Sequence, residues 1–525
     1  MEEGPERQHA GSAFGSLAQL LSQHRAALIA TAVYILLCIA RTGPAALITG
    51  GDWHHAWDQS QYLRSTLASA HGDFAAASHW YPLLYPLVAT PFAWLMPGNP
   101  YLLLDILCVF FAIGAYLRVA AHLGIGRRAA LIVLLGTMLW PPQLWGAWTR
   151  PWTTTLSAPL IWWLFARTGD ILVSRKDMSA RDMAWMGFVA ALLPLARPAD
   201  AVVAAMLGGW LGVAMLHRGT LGWHRLAAAM GGVLVPLAAY AALHLLIYGP
   251  RPSGYMLLSA EIGTCFADLG WKMSILFVDP RPWYGDISGL FARMPWVALG
   301  LAGALFALLR RDDAGRRGYV ACLLLAATAY ILVLTAYADF LPTGLWKNAN
   351  IHYLKWVLPL FGLMAWLLVR DARQAPLKAA GAIGAIFLLS GLRLVAVPAG
   401  AGEEAWQLDL PAPQGVAAPH LYAARSSIVD SRGSYRNVFE FRQIMDGPVV
   451  RLISVKRPFA PDARWVPQGV AGQYWPENST DPVRLPEQMP VAPIARWKAQ
   501  LTWGLPCWLG ICTGSPLEKA ASASP

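Results

Sequence analysis

Apolar stretches long enough to cross a bilayer recur through the first 400 positions, separated by short polar breaks. They fall at roughly 26–48, 101–121, 129–147, 153–173, 183–197, 200–216, 226–248, 294–309, 318–337, 354–369 and 379–398. The fifth is short for a complete span and also reads as half of a broken hairpin. No repeat period and no spanning-strand pattern is visible. Each stretch is therefore expected to be a helix that satisfies its own backbone polar groups in lipid. The pattern predicts an α-helical polytopic membrane protein with about 11 transmembrane helices.

After residue 400 the pattern changes. The chain becomes rich in Pro, Gly and polar residues, with short strand-like runs such as VVRLISV. A small α+β or β-rich C-terminal domain is expected over 400–512, followed by a disordered tail at 513–525 that ends SPLEKAASASP. The membrane domain is expected over 26–399. Residues 1–25 form a short segment whose opening, MEEGPERQHAGSAFG, is acidic and unlike a cleaved signal.

Composition agrees with this division. Of 525 residues, 56% are hydrophobic and only 14% charged, against about 25% charged in ordinary soluble domains. That is too little charge to cover a water-exposed globule, so an ordinary cytoplasmic enzyme is excluded. The net charge of +11 would suit a nucleic-acid binder, but its placement does not. The basic residues cluster in alternate short loops: Arg127 and Arg128; Arg175, Lys176 and Arg181; Arg218 and Arg225; Arg310, Arg311, Arg316 and Arg317; Arg370, Arg373 and Lys378. All fall on one side, which the positive-inside rule assigns to the cytoplasm. The N-terminus then lies inside and the C-terminal domain outside, with long outer loops at 49–100 and 249–293.

Cys38, Cys108 and Cys322 lie in apolar stretches and read as packing residues, while Cys265 lies in the 249–293 loop. Cys507 and Cys512 sit close together in the tail, either as a disulfide in an oxidising compartment or as two free buried thiols.

Candidate chemistry concentrates in the first outer loop. Asp58 and Tyr62 are four residues apart and share a face if this stretch is helical. A carboxylate at the membrane boundary can act as a general base towards a hydroxyl; the alternative is a helix cap. Asp52 is the rival base. It follows Gly50-Gly51 and precedes Trp53-His54-His55, so it can also turn the chain or pair with a histidine. Adjacent histidines point different ways and no third ligand is identifiable, so no metal site and no cofactor is assigned, although a divalent metal stays open.

An anionic phosphate at the outer boundary would need cationic or hydrogen-bonding partners. Candidates are His79 and Tyr81 at the loop's end, Arg150 in WTRPW, Arg197, and Lys347, His352, Tyr353 and Lys355 before the tenth stretch. The competing explanation for each Arg or Lys is a snorkelling helix-end side chain. The 25 Trp fall heavily on the outer side, mainly as an interfacial belt. Trp57 and Trp80, with Tyr62, are candidates for stacking on a sugar.

In this order and spacing, Asp58-Gln59-Ser60-Gln61-Tyr62, His79-Trp80-Tyr81-Pro82, Tyr85-Pro86 and Arg197-Pro198 resemble the C-type membrane glycosyltransferases (GT-C). The resemblance covers about residues 20–400. It implies transfer of a sugar from a polyprenyl-phosphate donor to a glycan or lipid-linked acceptor, with inversion at the anomeric carbon, on the outer face of a bacterial inner membrane. It carries the catalytic-base role onto Asp58. The chain departs from the commonest family pattern at Gln59, where many relatives have a second acid, which counts against roles needing two adjacent carboxylates.

Two other classes compete. A polysaccharide or lipid transporter or flippase would place paired ionisable residues inside helices, and Asp105 is the nearest such residue. A ligase or polymerase using a lipid-pyrophosphate donor would rely on basic residues above any carboxylate. No P-loop, GxGxxG, HExxH, CxxC or GxSxG pattern occurs in a suitable context, which argues against an ATP-driven pump.

Overall fold

The computed structural model describes residues 25–51, 54, 56–262, 264, 269, 273–278, 289–310, 313–337, 340 and 350–391, together with six strands between 406 and 484. Asp52, Lys347, Cys265, Cys507, Cys512 and the terminal segments 1–24 and 513–525 lie outside the described residues.

The helices end where backbone chemistry dictates. Gly43, at φ 77°, divides the first apolar stretch into α1 (Arg25–Thr42) and the short α2 (Pro44–Thr49), with Pro44 starting the second piece. The first long loop contains α3 (Trp57–Ala70) and α4 (Leu84–Ala93). α5 (Tyr101–His122) is followed by Gly124 at φ 72°. α6 (Arg127–Leu139) stops where Trp140 precedes Pro141, and α7 (Trp145–Thr149) stops where Arg150 precedes Pro151. A residue before proline is steered to extended backbone, and both Trp140 and Arg150 adopt it.

α8 (Thr153–Leu172) comes next. α9 (Ala180–Ala196) opens in a capping box. The Ser179 hydroxyl accepts the Asp182 N–H, and the Asp182 carboxylate accepts the Ser179 N–H. Arg197, before Pro198, ends it in extended conformation. The remaining helices are α10 (Ala201–His217), α11 (Trp223–Tyr248), α12 (Gly254–Ile262), α13 (Leu290–Arg293), α14 (Pro295–Leu309), α15 (Ala314–Ala336), α16 (Val357–Asp371) and α17 (Pro376–Gly391).

Among the described residues, five helical runs are long and apolar enough to cross a membrane: Arg25–Thr42, Tyr101–His122, Pro198–His217, Trp223–Tyr248 and Ala314–Ala336. Burial separates the roles of the helices. α8 and α16 are buried along most of their length. By contrast α11 leaves Leu234, Val235, Leu245 and Leu246 each about 60% exposed. Large apolar side chains on the outside and polar threonines on the inside suit lipid as the outer solvent. The described body is that of an α-helical membrane protein.

The described residues divide into two compact units. The first falls within Met1–Leu257, Trp296–Tyr330 and Ile351–Ile383, the second within Leu258–Pro295, Ile331–Asn350 and Gly384–Pro525. In the second unit β1 (Trp406–Pro411), β2 (Tyr422–Val429), β3 (Tyr435–Asp446), β4 (Val449–Ser454), β5 (Arg464–Pro467) and β6 (Val483–Arg484) form an antiparallel sheet. Its order is β1-β4-β3-β2-β5-β6, and β3 pairs with β4 from Phe441 opposite Ser454 to Asp446 opposite Val449.

Within the first unit, helices approach through glycine. A β-carbon on Gly232 of α11 would lie 2.0 Å from the Ala184 carbonyl oxygen of α9, and one on Gly187 would lie 2.1 Å from that of Ala229. Backbone cannot yield as a side-chain tip can. Such small-residue contacts let helices pack in lipid, where apolar burial itself drives little association. Gly232→Leu is expected to destabilise the protein by at least about 1–3 kcal/mol. Gly231→Leu, where nothing lies within 4 Å, is the matched control and should leave the thermal midpoint in detergent unchanged.

Candidate functional site

The site is built on the first turn of α3. Asp58 lies at this helix N-terminus, where the backbone dipole favours a negative charge. One turn later on the same face, Tyr62 is buried. The Tyr81 hydroxyl donates a hydrogen bond to Asp58 Oδ1. Burial first, then the neighbouring Asp58 charge, pushes the Tyr81 proton affinity far up, so this hydroxyl remains a donor. The Tyr81 ring packs 5.0 Å from that of Tyr62 and 5.1 Å from that of Tyr255.

From Tyr62 the aromatic contacts continue inward. Tyr62 meets Tyr85 edge-on at 5.7 Å, Tyr85 stacks on Tyr101 at 4.6 Å, and the Tyr85 hydroxyl donates to Asp105 at 2.8 Å. An aromatic ladder thus runs between a half-buried carboxylate, Asp58, and a fully buried one, Asp105.

Two buried cations belong to the same unit. Arg197 ends α9 because proline follows it. Its Nη1 donates to the Tyr330 hydroxyl at 3.0 Å, lies 3.6 Å from Asp200 Oδ1, and its guanidinium covers the Tyr353 ring at 4.6 Å. The Tyr330 hydroxyl in turn donates to the Tyr353 carbonyl. Lys355 donates to Thr155 Oγ1 at 2.7 Å and faces the Trp148 ring at 5.6 Å. Beside it, His352 stacks on Trp152 at 3.7 Å and pairs with Thr154 at 3.1 Å. Burial first, then the Arg197 and Lys355 charges, holds His352 well below the ordinary imidazole range, so it acts as a neutral polar group.

The WTRPWTTT turn therefore meets the segment before α16, although the pairs are about 200 residues apart in sequence: Thr155 and Lys355 are separated by 200 positions, Thr154 and His352 by 198. Gln59 ties α3 to the same turn. Its side chain is buried and its Nε2 donates to the Pro151 carbonyl at 3.1 Å. A carboxylate has no proton to give a carbonyl, which supplies a physical reason for an amide here.

The other sequence candidates are dispersed. Arg150 is half-buried at the C-cap of α7. Trp57 is 62% exposed, whereas Trp80 packs on Gly254, where a β-carbon would lie 2.5 Å from its ring. His79 is buried with both ring nitrogens engaged: Nδ1 with Ser65 Oγ at 2.7 Å and Nε2 with the Asp73 carbonyl at 2.9 Å. Tyr248 also donates to the His79 carbonyl. In this arrangement His79 braces the loop and presents no free nitrogen to an anion. His79→Ala is expected to cost about 2 kcal/mol, from two hydrogen bonds of about 1 kcal/mol each. A lower thermal midpoint and faster proteolytic cleavage near residues 71–78 would show it.

His54 Nε2 pairs with the Gly98 carbonyl at 2.9 Å. Among the described residues no group of three or more His, Cys, Asp or Glu converges on a metal-sized space. Asp200 and Tyr330 escape the sequence, because their signal is only a tertiary contact; Gln59 and Arg197 were visible in it, but not the Pro151 carbonyl and the Tyr330 hydroxyl that they meet.

Comparisons of the chain with protein-family models, with curated proteins and with solved structures find no match.

Proposed function

We propose that the protein is a membrane glycosyltransferase that takes a sugar from a polyprenyl-phosphate donor and passes it to a glycan or lipid-linked acceptor. The observation that carries this reading is the Asp58 carboxylate held by the Tyr81 hydroxyl at the first turn of α3, in the same unit as the buried Arg197. Asp58 would take the proton of an acceptor hydroxyl. The freed oxygen attacks the anomeric carbon, the bond from that carbon to the phosphate oxygen breaks, and the electron pair departs on the lipid phosphate. Arg197, Lys355 and Arg150 are the cations proposed to receive that charge.

In this reading the α3–α4 loop faces the outer side of a bacterial inner membrane, and the arginine-rich loops face the cytoplasm. Residues 400–512 would form an outer domain that orients the acceptor. Trp57, which is exposed, is the proposed stacking surface for a sugar. The deciding assay supplies purified protein in detergent with a radiolabelled polyprenyl-phosphate sugar and scores label on the acceptor.

A transporter is the second reading. Buried Asp105 and Lys355 favour it, since ionisable residues inside a helical bundle mark transport pathways. Transfer in detergent, with no sealed compartment, would count decisively against it. Substrate accumulation in vesicles without any transfer would replace the first reading with the second.

A further inference from the structure

At the opposite end of the bundle from the sequence-predicted outer loops, four arginines surround one cavity. It has a volume of about 30 Å³ and is walled by Arg310, Arg316, Arg317 and Arg370, with Asp313 and Asp371 as its acidic members. That is more than the space needed to seat a water molecule. Phe306, Val320 and Leu367 form its apolar side.

The positive-inside rule accounts for basic residues at this end, but it does not account for the partial burial of Arg310, Arg316 and Arg317 around one cavity. Arg310 is only 19% exposed, and its Nη1 lies 2.9 Å from Asp371. Arg370 shares the same carboxylate and also donates from Nη1 to the Gly124 carbonyl at 2.6 Å. Asp313 is occupied locally, accepting the Gly315 N–H at 2.9 Å at the start of α15. The Arg316 guanidinium lies against Gly124, about 3.5 Å from where a β-carbon would stand. Its Nε is buried without a hydrogen-bond partner.

Four guanidinium groups against two carboxylates leave the cavity with an excess of two positive charges. A buried donor without an acceptor is costly, and a planar guanidinium matches the geometry of phosphate oxygens. We propose that this cavity binds a phosphate-bearing anion, with Arg316 and Arg317 as its principal contacts. Two sources share that chemistry: the headgroup of an anionic lipid, whose chains would continue along the Phe306 side, and a free phosphate from the aqueous phase.

The test uses the full-length protein, delipidated in detergent. One arm measures retention of phosphatidylglycerol against phosphatidylcholine by native mass spectrometry. The other measures the thermal midpoint in inorganic phosphate against chloride at matched ionic strength. At least one anionic probe is expected to be preferred. Arg316→Gln and Arg317→Gln should each weaken that preference about fivefold. Arg128→Gln, at an exposed position on the same end, should not. Response in the lipid arm alone identifies a headgroup site, and response in the phosphate arm alone a site for a soluble anion.

Absence of preference in both arms overturns the proposal. So does an Arg128→Gln loss equal to those of Arg316→Gln and Arg317→Gln, or wild-type binding by both of the latter. Should Arg316→Gln fail to fold, the wild-type preference and Arg317→Gln decide alone.

Discussion

Asp58→Asn is expected to lower kcat for sugar transfer by about 10²–10⁴-fold, the range that a positioned general base contributes. The substitution is nearly isosteric. Its amide oxygen can still accept the Tyr81 hydroxyl, and neighbouring Gln59 still anchors α3 to the Pro151 carbonyl. Folding and donor binding should therefore survive while the proton acceptor is lost. The measurement is transfer in detergent, paired with donor affinity and the thermal midpoint. Near-normal turnover would remove Asp58 from the mechanism and favour the basic-residue chemistry of a lipid-pyrophosphate ligase or the transporter reading. Lost turnover together with lost donor binding would point to a positioning defect.

Arg197→Ala carries the largest expected effect on stability. Asp200 is fully buried, and Arg197 lies 3.6 Å from it. Removing one partner of a buried pair leaves an uncompensated charge, which costs about 3–5 kcal/mol. The same change takes away the hydrogen bond to Tyr330 and the guanidinium over Tyr353. Adding Asp200→Asn should recover part of the loss, because the double variant no longer buries a lone carboxylate. A cycle of wild type, both single variants and the double variant, read by thermal midpoint, tests the coupling. Additive losses would show that the pair does not stabilise the fold. Arg197→Lys keeps a charge but loses the planar fork, and is expected to fall between wild type and Ala.

Much of the helical body was legible in the sequence. A run such as 226–248 has few solutions in lipid besides a helix, and α11 occupies it. The breaks were less legible. The 26–48 and 129–147 stretches read as continuous apolar segments, yet Gly43 and the Trp140-Pro141 step interrupt them. Average hydrophobicity does not register one residue's backbone preference. The pairing of Asp58 with Tyr62 was partly legible, since a spacing of four fixes a shared helical face. Tyr81 as the partner of Asp58 was not, because 23 residues and a change of direction separate them.

His79 shows the limit from the other side. A histidine beside an aromatic–proline motif invites a ligand role in sequence, but its two ring nitrogens are both engaged by protein partners. The arginine clusters show it again. Sequence read them as loop charges, whereas the fold turns Arg310 and Arg316 towards one cavity.

The sequence by itself determined the apolar runs and most of the helices they form, and it proposed Asp58 as the acid for chemistry. Those follow from local quantities: apolar run length, charge placement and the i, i+4 spacing. The tertiary structure decided which groups meet. It put Lys355 on Thr155 across 200 positions, set Arg197 over Tyr353, and closed His79 within its own loop. Helix-to-helix contact in lipid depends on small residues, close backbone approach and polar pairing, and none of these leaves a periodic trace along the chain.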